Sequence, residues 1–155
     1  GIRKILLING HGGNDFTPLV RQIQADLDVF MFWCHVYEVG QDKHNEIFDT
    51  VDDHAGELET SMALALFPEL VELEQADSGA LRPFQFEALD RGWIKTSRKF
   101  SNLNDHCGNS DPSLATAEKG KQYLDFICQR ISNFLIELSE AEVNDHFPHL
   151  PEIKH

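Results

Sequence analysis

The chain has 155 residues, of which 41% are hydrophobic and 25% are charged, a length and composition typical of a single globular domain. Acidic residues outnumber Lys and Arg by 26 to 13, which gives a formal net charge of -13. Such a charge repels phosphate backbones and anionic lipid, so it argues against a nucleic-acid-binding or membrane-surface protein. A small-molecule ligand in a local pocket stays compatible with it.

Cysteine usage and hydropathy indicate the cellular compartment. Cys34, Cys107 and Cys128 are an odd number without C-x-x-C spacing, which favours reduced thiols in a cytoplasmic protein. No apolar run approaches the roughly 20 residues that cross a bilayer, and no signal-peptide pattern opens the chain. These features predict a cytosolic protein. The sequence also begins at Gly1 and enters an apolar run almost at once, so we expect it to be a piece of a longer polypeptide.

The first part of the chain carries the pattern of a strand, a helix and a second strand. Ile2–Asn9 is a continuous apolar run, as in a parallel strand covered on both faces. A helix follows the glycines, with Pro18 in its first turn and Asn14 or Asp15 as its cap. Its apolar positions recur at helical spacing: Phe16, Leu19, Val20, Ile23 and Leu27. Val29–Tyr37 completes a βαβ unit with parallel strands.

The remainder of the chain is predicted to be mainly loops and helices. Residues 40–53 are polar and predict a loop, and a helix runs from Ala55 to Pro68. Residues 69–110 are largely irregular, with room for one short strand. Asp111-Pro112-Ser113 is a typical helix start, and the last helix is expected to end near Leu138, before an acidic, frayed tail at residues 139–155. Two strands are few for an α/β sheet, so missing upstream sequence, or the poorly predicted middle, must supply others.

The first candidate site is the segment Asn9-Gly10-His11-Gly12-Gly13-Asn14, at the point where a strand ends and a helix begins. Ligands of open α/β sheets bind at the carboxyl ends of strands, and the glycines leave His11 accessible. One alternative is a phosphate-binding loop, although neither of the usual glycine-rich signatures is present. Another is a turn whose histidine has no role in chemistry. The six residues alone favour neither interpretation, a metal-binding or catalytic His11 or a purely structural turn.

The second candidate site is residues 52–61, where carboxylates and a histidine crowd the start of an apolar helix. Asp52 and Asp53 suit a helix N-terminus because its dipole stabilises them, and Glu57 is expected to be solvated. Glu59 lies within the apolar run, and a buried carboxylate is costly unless it is paired or bound to metal. Histidine nitrogen and carboxylate oxygen together are ligands of zinc, manganese or iron. His54 and Glu59 are therefore the stronger functional candidates, although two residues do not fill a coordination shell.

Three segments together resemble the creatininase family of creatinine amidohydrolases and formamide hydrolases. They are Asn9–Asn14 (NGHGGN), His54–Ser61 (HAGELETS) and Asp111–Gly120 (DPSLATAEKG), in the family's order and spacing. The resemblance implies an α/β fold of three αβα layers with a mainly parallel sheet, of which this chain is the C-terminal portion and lacks the N-terminal strands. It also implies a site for one or two divalent ions of Zn, Mn or Fe, and a homo-oligomer, usually a hexamer.

The resemblance assigns roles to individual residues. It makes His11 and Glu59 metal ligands and His54 the residue that transfers a proton during hydrolysis. The neighbouring pocket is expected to include Gly12, Gly13, Asn14 and Asp53. Asp111 and Ser113 of the third segment are weaker pocket candidates, and Glu118 and Lys119 are expected to be solvated.

The sequence departs from the family pattern at two points. True creatininases carry a glutamate two residues after the ligand histidine, where this chain has Gly13. That argues against creatinine and favours the formamide-hydrolysing branch. The family's Glu-x-His and following Asp ligands lie upstream of the first strand and are absent, so the fragment alone is expected to be inactive and to bind metal poorly.

The resulting hypothesis is a metal-dependent amidohydrolase that cleaves a C–N bond of a small cyclic amide or formamide with a metal-activated water. The alternative is a non-catalytic or degenerate subunit that keeps the fold. The whole chain, residues 1–155, is predicted to be one α/β domain that binds neither nucleic acid nor membrane.

Overall fold

A computed structural model describes residues 1–51 and 54–152 and divides the chain into two compact units. The strand unit consists of residues 1–40 together with the chain from Ile127 onward, and the helical unit is Gln41–Phe126. Each unit has its own buried side chains. The prediction of a single α/β domain stays a prediction.

The strand unit contains the predicted βαβ arrangement. Its elements are β1 (Lys4–Asn9), α1 (Thr17–Asp26), β2 (Phe30–His35) and α2 (Val36–Val39). The two strands are parallel and in register from Lys4 opposite Phe30 to Asn9 opposite His35, which confirms the parallel α/β prediction. Within residues 1–51 and 54–152 the sheet has these two strands and no others. The strands are only partly covered, since Ile8 is 52% exposed, so the expectation of burial on both faces was wrong.

The start of α1 is close to the predicted one. Pro18 lies in the first turn, where its missing N–H costs no hydrogen bond. The Asp15 carboxylate accepts the Thr17 N–H at 2.9 Å, although Phe16 occupies the formal cap position without a side-chain hydrogen bond. Asp15 therefore orders the turn before the helix, and this interaction lowers the pKa of its carboxyl.

The long C-terminal helix α7 (Ala117–Glu140) begins in the helical unit and ends in the strand unit. Its last carbonyls are bound by Lys4 of β1, whose Nζ donates to the oxygens of Leu138 at 2.5 Å, Ser139 at 3.1 Å and Ala141 at 2.8 Å. A cation at this position satisfies orphan carbonyls and opposes the negative end of the helix dipole.

The acidic tail after α7 is not frayed over its described part, which corrects the prediction. Phe147 packs edge-on against Phe30, with ring centroids 4.7 Å apart, and against Phe32 at 6.0 Å. The tail is thus held against the apolar surface of β2. The acidic composition of the surrounding residues gives no indication of this contact in the sequence.

The helical unit consists mostly of short helices joined by irregular segments. They are a 3₁₀ turn at Gln41–Lys43, α3 (His44–Ile47), α4 (Glu57–Leu66), 3₁₀ turns at Pro68–Leu70 and Leu73–Gln75, α5 (Glu87–Asp90) and α6 (Phe100–Leu103). The predicted helix before Pro68 is confirmed as α4. The predicted loop at residues 40–53 contains two short helical turns, and the described residues between 69 and 110 form no strand.

The start of the last helix differs from the prediction by five positions, since the first helical residue is Ala117 and not Pro112. The Asp111 carboxylate accepts the N–H of Ser113 at 2.8 Å, so Asp111 orders a local turn and does not cap the helix. The helix begins at Ala117, after Thr116, whose hydroxyl accepts the Lys119 N–H at 3.2 Å. Thr116 is thus the effective N-cap.

Close contact between α4 and the first turns of α7 builds the core of the helical unit. A Cβ at Gly120 would lie 1.9 Å from the carbonyl oxygen of Ser61, so only glycine fits this approach. The buried Ser61 hydroxyl accepts the N–H of Thr116 at 3.1 Å. Tyr123 is fully buried and lies edge-on to Phe48, with centroids 5.5 Å apart. None of the described helices combines the length and apolarity that a bilayer crossing requires.

Candidate functional site

The glycine loop (residues 9–14) is organised by the buried side chain of Asn9, which is 4% exposed. Its amide nitrogen donates to the carbonyl oxygen of His11 at 2.7 Å and lies 2.6 Å from Nδ1 of His35. Its amide oxygen accepts the backbone N–H of His11 at 3.2 Å and the side-chain nitrogen of Asn14 at 2.9 Å. Two donors and two acceptor positions are therefore all in use, which is the full capacity of an amide side chain.

His11 is exposed at the tip of this loop, as the sequence predicts. The Gly13 N–H donates to its Nδ1 at 2.9 Å, so in the neutral ring the proton resides on Nε2. Coordination of a metal through Nε2 requires the other tautomer and loss of this hydrogen bond. A Cβ at Gly13 would lie 2.8 Å from Cε1 of His11, so the ring holds this position because residue 13 has no side chain.

A second imidazole, His35, lies at the same end of the sheet, and sequence reasoning did not identify it. His35 is opposite Asn9 in the strand register and accepts the Asn9 amide at its Nδ1. Its ring lies 5.4 Å from that of Tyr37, and Tyr37 in turn faces Gly12, where an added Cβ would be 3.6 Å from the phenol oxygen. The carboxyl end of a neighbouring parallel strand is the signal that could have found it.

The acidic segment (residues 49–59) brings His54 and Glu59 together. The two side chains are 39% and 44% exposed, and Nδ1 of His54 lies 3.6 Å from Oε2 of Glu59. The same carboxylate oxygen accepts the Ala55 N–H at 2.7 Å. Glu59 therefore turns back over the helix N-terminus, and the expectation that it faces a buried stripe was wrong. The His54 ring also lies edge-on to Phe100, with centroids 5.4 Å apart.

Backbone strain accompanies this pair. Ala55 has a φ of 55°, in the left-handed region that residues with a Cβ seldom adopt. Such outliers persist where the surroundings hold them, and they concentrate at functional sites. Asp53, predicted for the pocket, lies outside the described residues.

Glu57, which was expected to be solvated, is fully buried. Its Oε2 accepts the backbone N–H groups of Asp49 and Thr50 and the Thr50 hydroxyl, each at 2.9 Å. Its Oε1 pairs with the ammonium group of Lys119, which also binds Asp49 at 2.8 Å. Lys119 was likewise expected to be solvated, but its side chain is 23% exposed and links the third sequence motif to the second.

The titration of this pair follows its contacts. Burial alone raises the pKa of the Glu57 carboxyl, but the hydrogen bonds from Lys119, Thr50 and Asp49 outweigh burial and lower it below its usual value. The bonds to Asp49 and Glu57 raise the pKa of Lys119. Both groups are thus held in their charged forms.

The predicted site residues fall in both units. His11, Gly12, Gly13 and Asn14 belong to the strand unit, and His54 and Glu59 to the helical unit. Convergence of His11 and Glu59 on one ion therefore stays a prediction. Across residues 1–51 and 54–152, no group of three or more His, Cys, Asp or Glu side chains is placed to hold a metal ion.

Comparisons with known proteins agree on one family. The creatininase family profile, described as creatinine amidohydrolase, matches residues 1–135. A candidate creatinine amidohydrolase of Bacteroides fragilis NCTC 9343 is 31% identical with a TM-score of 0.86, and the alignment covers 94% of this chain and 57% of that one. A crystal structure of creatininase is 20% identical with a TM-score of 0.70, over 92% of this chain and 58% of that one. No curated protein sequence matches the chain.

Two further creatininase structures are described by their metals. A manganese form is 20% identical with a TM-score of 0.63, over 88% of this chain and 56% of that one. A mutant in its Zn-Zn form is 23% identical with a TM-score of 0.60, over 91% and 58%. At these identities the likeness shows the fold. The chain spans less than two thirds of each of these structures, and the profile match, which begins at residue 1, gives no support to the prediction that it is a C-terminal portion.

Proposed function

Because the chain belongs to the creatininase family, we propose that it is part of a metal-dependent amidohydrolase that hydrolyses a C–N bond of a small cyclic amide or formamide. The observation that carries the proposal is the family match over residues 1–135, which includes the glycine loop and the pair His54–Glu59. Metal-bound forms among the structural neighbours support a divalent ion such as Mn or Zn as the cofactor.

The glycine at position 13 favours a substrate other than creatinine. Creatininases carry a glutamate there, whereas in this chain any Cβ would collide with the His11 ring in its present position. We therefore propose that the metal ligands and the pocket beside them differ from those of a creatininase. This difference supports the formamide-hydrolysing branch of the family.

The described residues alone do not complete a metal site, because they supply a histidine in one unit and a His–Glu pair in the other. A bound divalent ion supplies a water of lowered pKa for attack on the amide carbon. The chain spans less than two thirds of its structural neighbours, and the remaining ligands are proposed to come from the part of the protein that it does not include.

The chain's own contribution to proton transfer is the His54–Glu59 pair. The Glu59 carboxylate faces Nδ1 of His54 and favours a proton on that nitrogen. This orientation leaves Nε2 to exchange a proton with the leaving nitrogen, as a general acid–base residue must. Because both side chains are partly exposed, a small substrate has access to them.

Metal content and turnover of the intact gene product test these roles. His11→Ala is expected to remove the metal and the hydrolysis of formamides with little loss of stability, and His54→Ala to keep the metal and lose turnover. His106→Ala is a matched control, because its imidazole is 70% exposed and lies beside Asp77, outside both candidate segments. Normal metal content in the first variant, or normal turnover in the second, contradicts the assignment.

A non-catalytic subunit of the same fold is the second candidate function, favoured by the absence of a three-ligand cluster in the described part of the chain. It predicts that the intact product binds neither Zn, Mn nor Fe after purification without chelator. Homo-oligomerisation, as a hexamer, is proposed under both functions. Light scattering of the intact product tests it independently of activity.

A further inference from the structure

The two ends of the segment of residues 82–103 are joined, and the segment forms an open pocket within the helical unit. The Arg82 N–H donates to the Leu103 carbonyl at 2.8 Å, and the Arg82 guanidinium binds Asp105 at 2.7 Å. The amide of Asn104 reaches the Ala80 carbonyl at 3.4 Å. Long loops with joined ends in compact proteins are frequently functional. The pocket has a volume of about 500 Å³, within the range of small-molecule sites.

The pocket has an apolar wall. Phe84 and Phe86 are 47% and 60% exposed, and Leu89 of α5 and Ile94 line the pocket beside them. Four apolar side chains converging on one concave surface can bury the flat body of an aromatic ligand. Because Phe84 and Phe86 are exposed, a ligand in the pocket has direct access to their rings.

The charge of the pocket is opposite to that of the protein. Among the described residues, its lining includes Arg82, Lys95, Arg98 and Lys99 and no Asp or Glu, although acidic residues outnumber basic ones 26 to 13 in the whole chain. Arg82 is paired with Asp105, and Arg98 lies 5.6 Å from the centroid of the Phe100 ring.

Two of these cations have no counter-ion among the residues that the structure describes. Lys95 and Lys99 form neither an ion pair nor a side-chain hydrogen bond with any residue in the ranges 1–51 and 54–152. The other lysines that the structure describes are engaged, as Lys43 is with Glu46 at 2.7 Å and Lys121 with Asp125 at 2.5 Å. Two uncompensated ammonium groups beside an aromatic wall attract an anion that has an apolar body.

We propose that the pocket of residues 82–103 binds a small aromatic carboxylate, with its carboxylate at Lys95 and Lys99 and its ring against Phe84 and Phe86. Salt largely screens exposed charges that are more than a Debye length, about 10 Å, apart. The repulsion of the ligand by distant acidic residues is therefore weak, and the attraction by the two nearby lysines prevails. Binding is therefore expected to weaken as ionic strength rises, and it requires both the charge and the ring.

The probe is naphthalene-2-carboxylate, titrated into the ¹⁵N-labelled chain and followed by amide chemical shifts. We expect saturable shifts concentrated in residues 82–103, and much weaker binding of naphthalene-2-methanol, which has the same ring without the charge. Equal affinity for the two compounds, or shifts located elsewhere, overturns the proposal.

The double variant Lys95→Gln/Lys99→Gln tests the cations directly. Both residues are exposed, so the fold should be kept, and the affinity for naphthalene-2-carboxylate is expected to fall about three- to tenfold. Lys43→Gln/Lys121→Gln makes the same change in net charge elsewhere and is expected to leave the affinity within about twofold. An equal loss in both double variants means that only net charge matters and also overturns the site. Since the readout is binding, its outcome does not depend on whether the chain hydrolyses amides.

Discussion

The glycine loop (residues 9–14) and the acidic segment (residues 49–59) are each held in place by a buried polar side chain, but the two side chains differ in charge. In each, exposed candidate residues are carried on backbone that is held by one buried polar side chain, Asn9 in the first and Glu57 in the second. Asn9 is neutral and bonds mainly to its own loop, whereas Glu57 is charged and pairs with Lys119, far along the chain. The first anchor therefore shapes a loop, and the second also joins α7 to the loop before α4.

The largest effect is expected when the charged anchor is removed. Glu57→Ala leaves the Lys119 ammonium with the exposed Asp49 carboxylate and the Leu114 carbonyl, and it leaves two backbone N–H groups without an acceptor. Loss of one partner of a buried pair costs about 3 kcal/mol, the lower end of the usual range, because Lys119 is partly exposed to water. Urea unfolding of the two proteins measures the difference in the free energy of unfolding.

Glu59→Ala is the matched control for that change. Its carboxylate is 44% exposed and accepts one backbone N–H, so the expected loss is under about 1 kcal/mol. Equal losses at positions 57 and 59 contradict the distinction between a buried anchor and an exposed functional candidate.

A smaller effect is expected at the contact between α4 and α7. In Gly120→Ala the new methyl meets backbone atoms of Ser61 and Met62, which cannot move aside as a side chain does, so the two helices must separate. Overpacking of this kind costs about 1–3 kcal/mol. Gly10→Ala in the glycine loop has no heavy atom within 4 Å of its Cβ and serves as the control. If thermal unfolding shows equal changes for both, close packing of the helices is not what requires Gly120.

Local patterns predicted part of this structure because the determinants of that part are local. Apolar runs and helical spacing were sufficient for β1, α1, β2 and α4. Glu57 and Glu59 are two positions apart on a helix, so they point in very different directions, and periodicity favoured the wrong one as buried. Glu57 is buried because it pairs with Lys119, which is 62 positions away in the sequence, so a local sequence pattern cannot predict this contact.

The same limit explains two other errors. Asp111-Pro112-Ser113 has the composition of a helix start, yet α7 starts later, where Ser61 binds the Thr116 N–H across 55 positions. His35 has no motif of its own and becomes a site candidate only through its register with Asn9. For the metal ligands, the family resemblance provided roles that neither spacing nor the described contacts establish.

The neutral anchor is expected to matter less, and locally. Asn9→Ala removes the donor to the His11 carbonyl and to Nδ1 of His35, and the acceptor for Asn14. Most of these groups reach water when the side chain is gone, so the expected cost is about 1–2 kcal/mol. Amide hydrogen exchange should accelerate in residues 10–14 while α7 keeps its protection. Asn14→Ala, which loses a single bond at an exposed residue, should change stability by less than about 0.5 kcal/mol.

The smallest effect is expected from protonation, since it leaves the Glu57 side chain and its packing in place. Its hydrogen bonds hold the folded-state pKa below that of the unfolded chain. The stabilisation is therefore complete above the unfolded value, about 4.3 for a glutamate, and is lost as pH falls through the folded value. Glu57→Gln cannot titrate, so its stability should fall less steeply with acid than that of the natural chain. Parallel pH profiles for the two proteins would mean that the contacts of Glu57 do not lower its pKa below that of a solvated carboxylate. The charged anchor and the neutral anchor would then differ less than their contacts indicate.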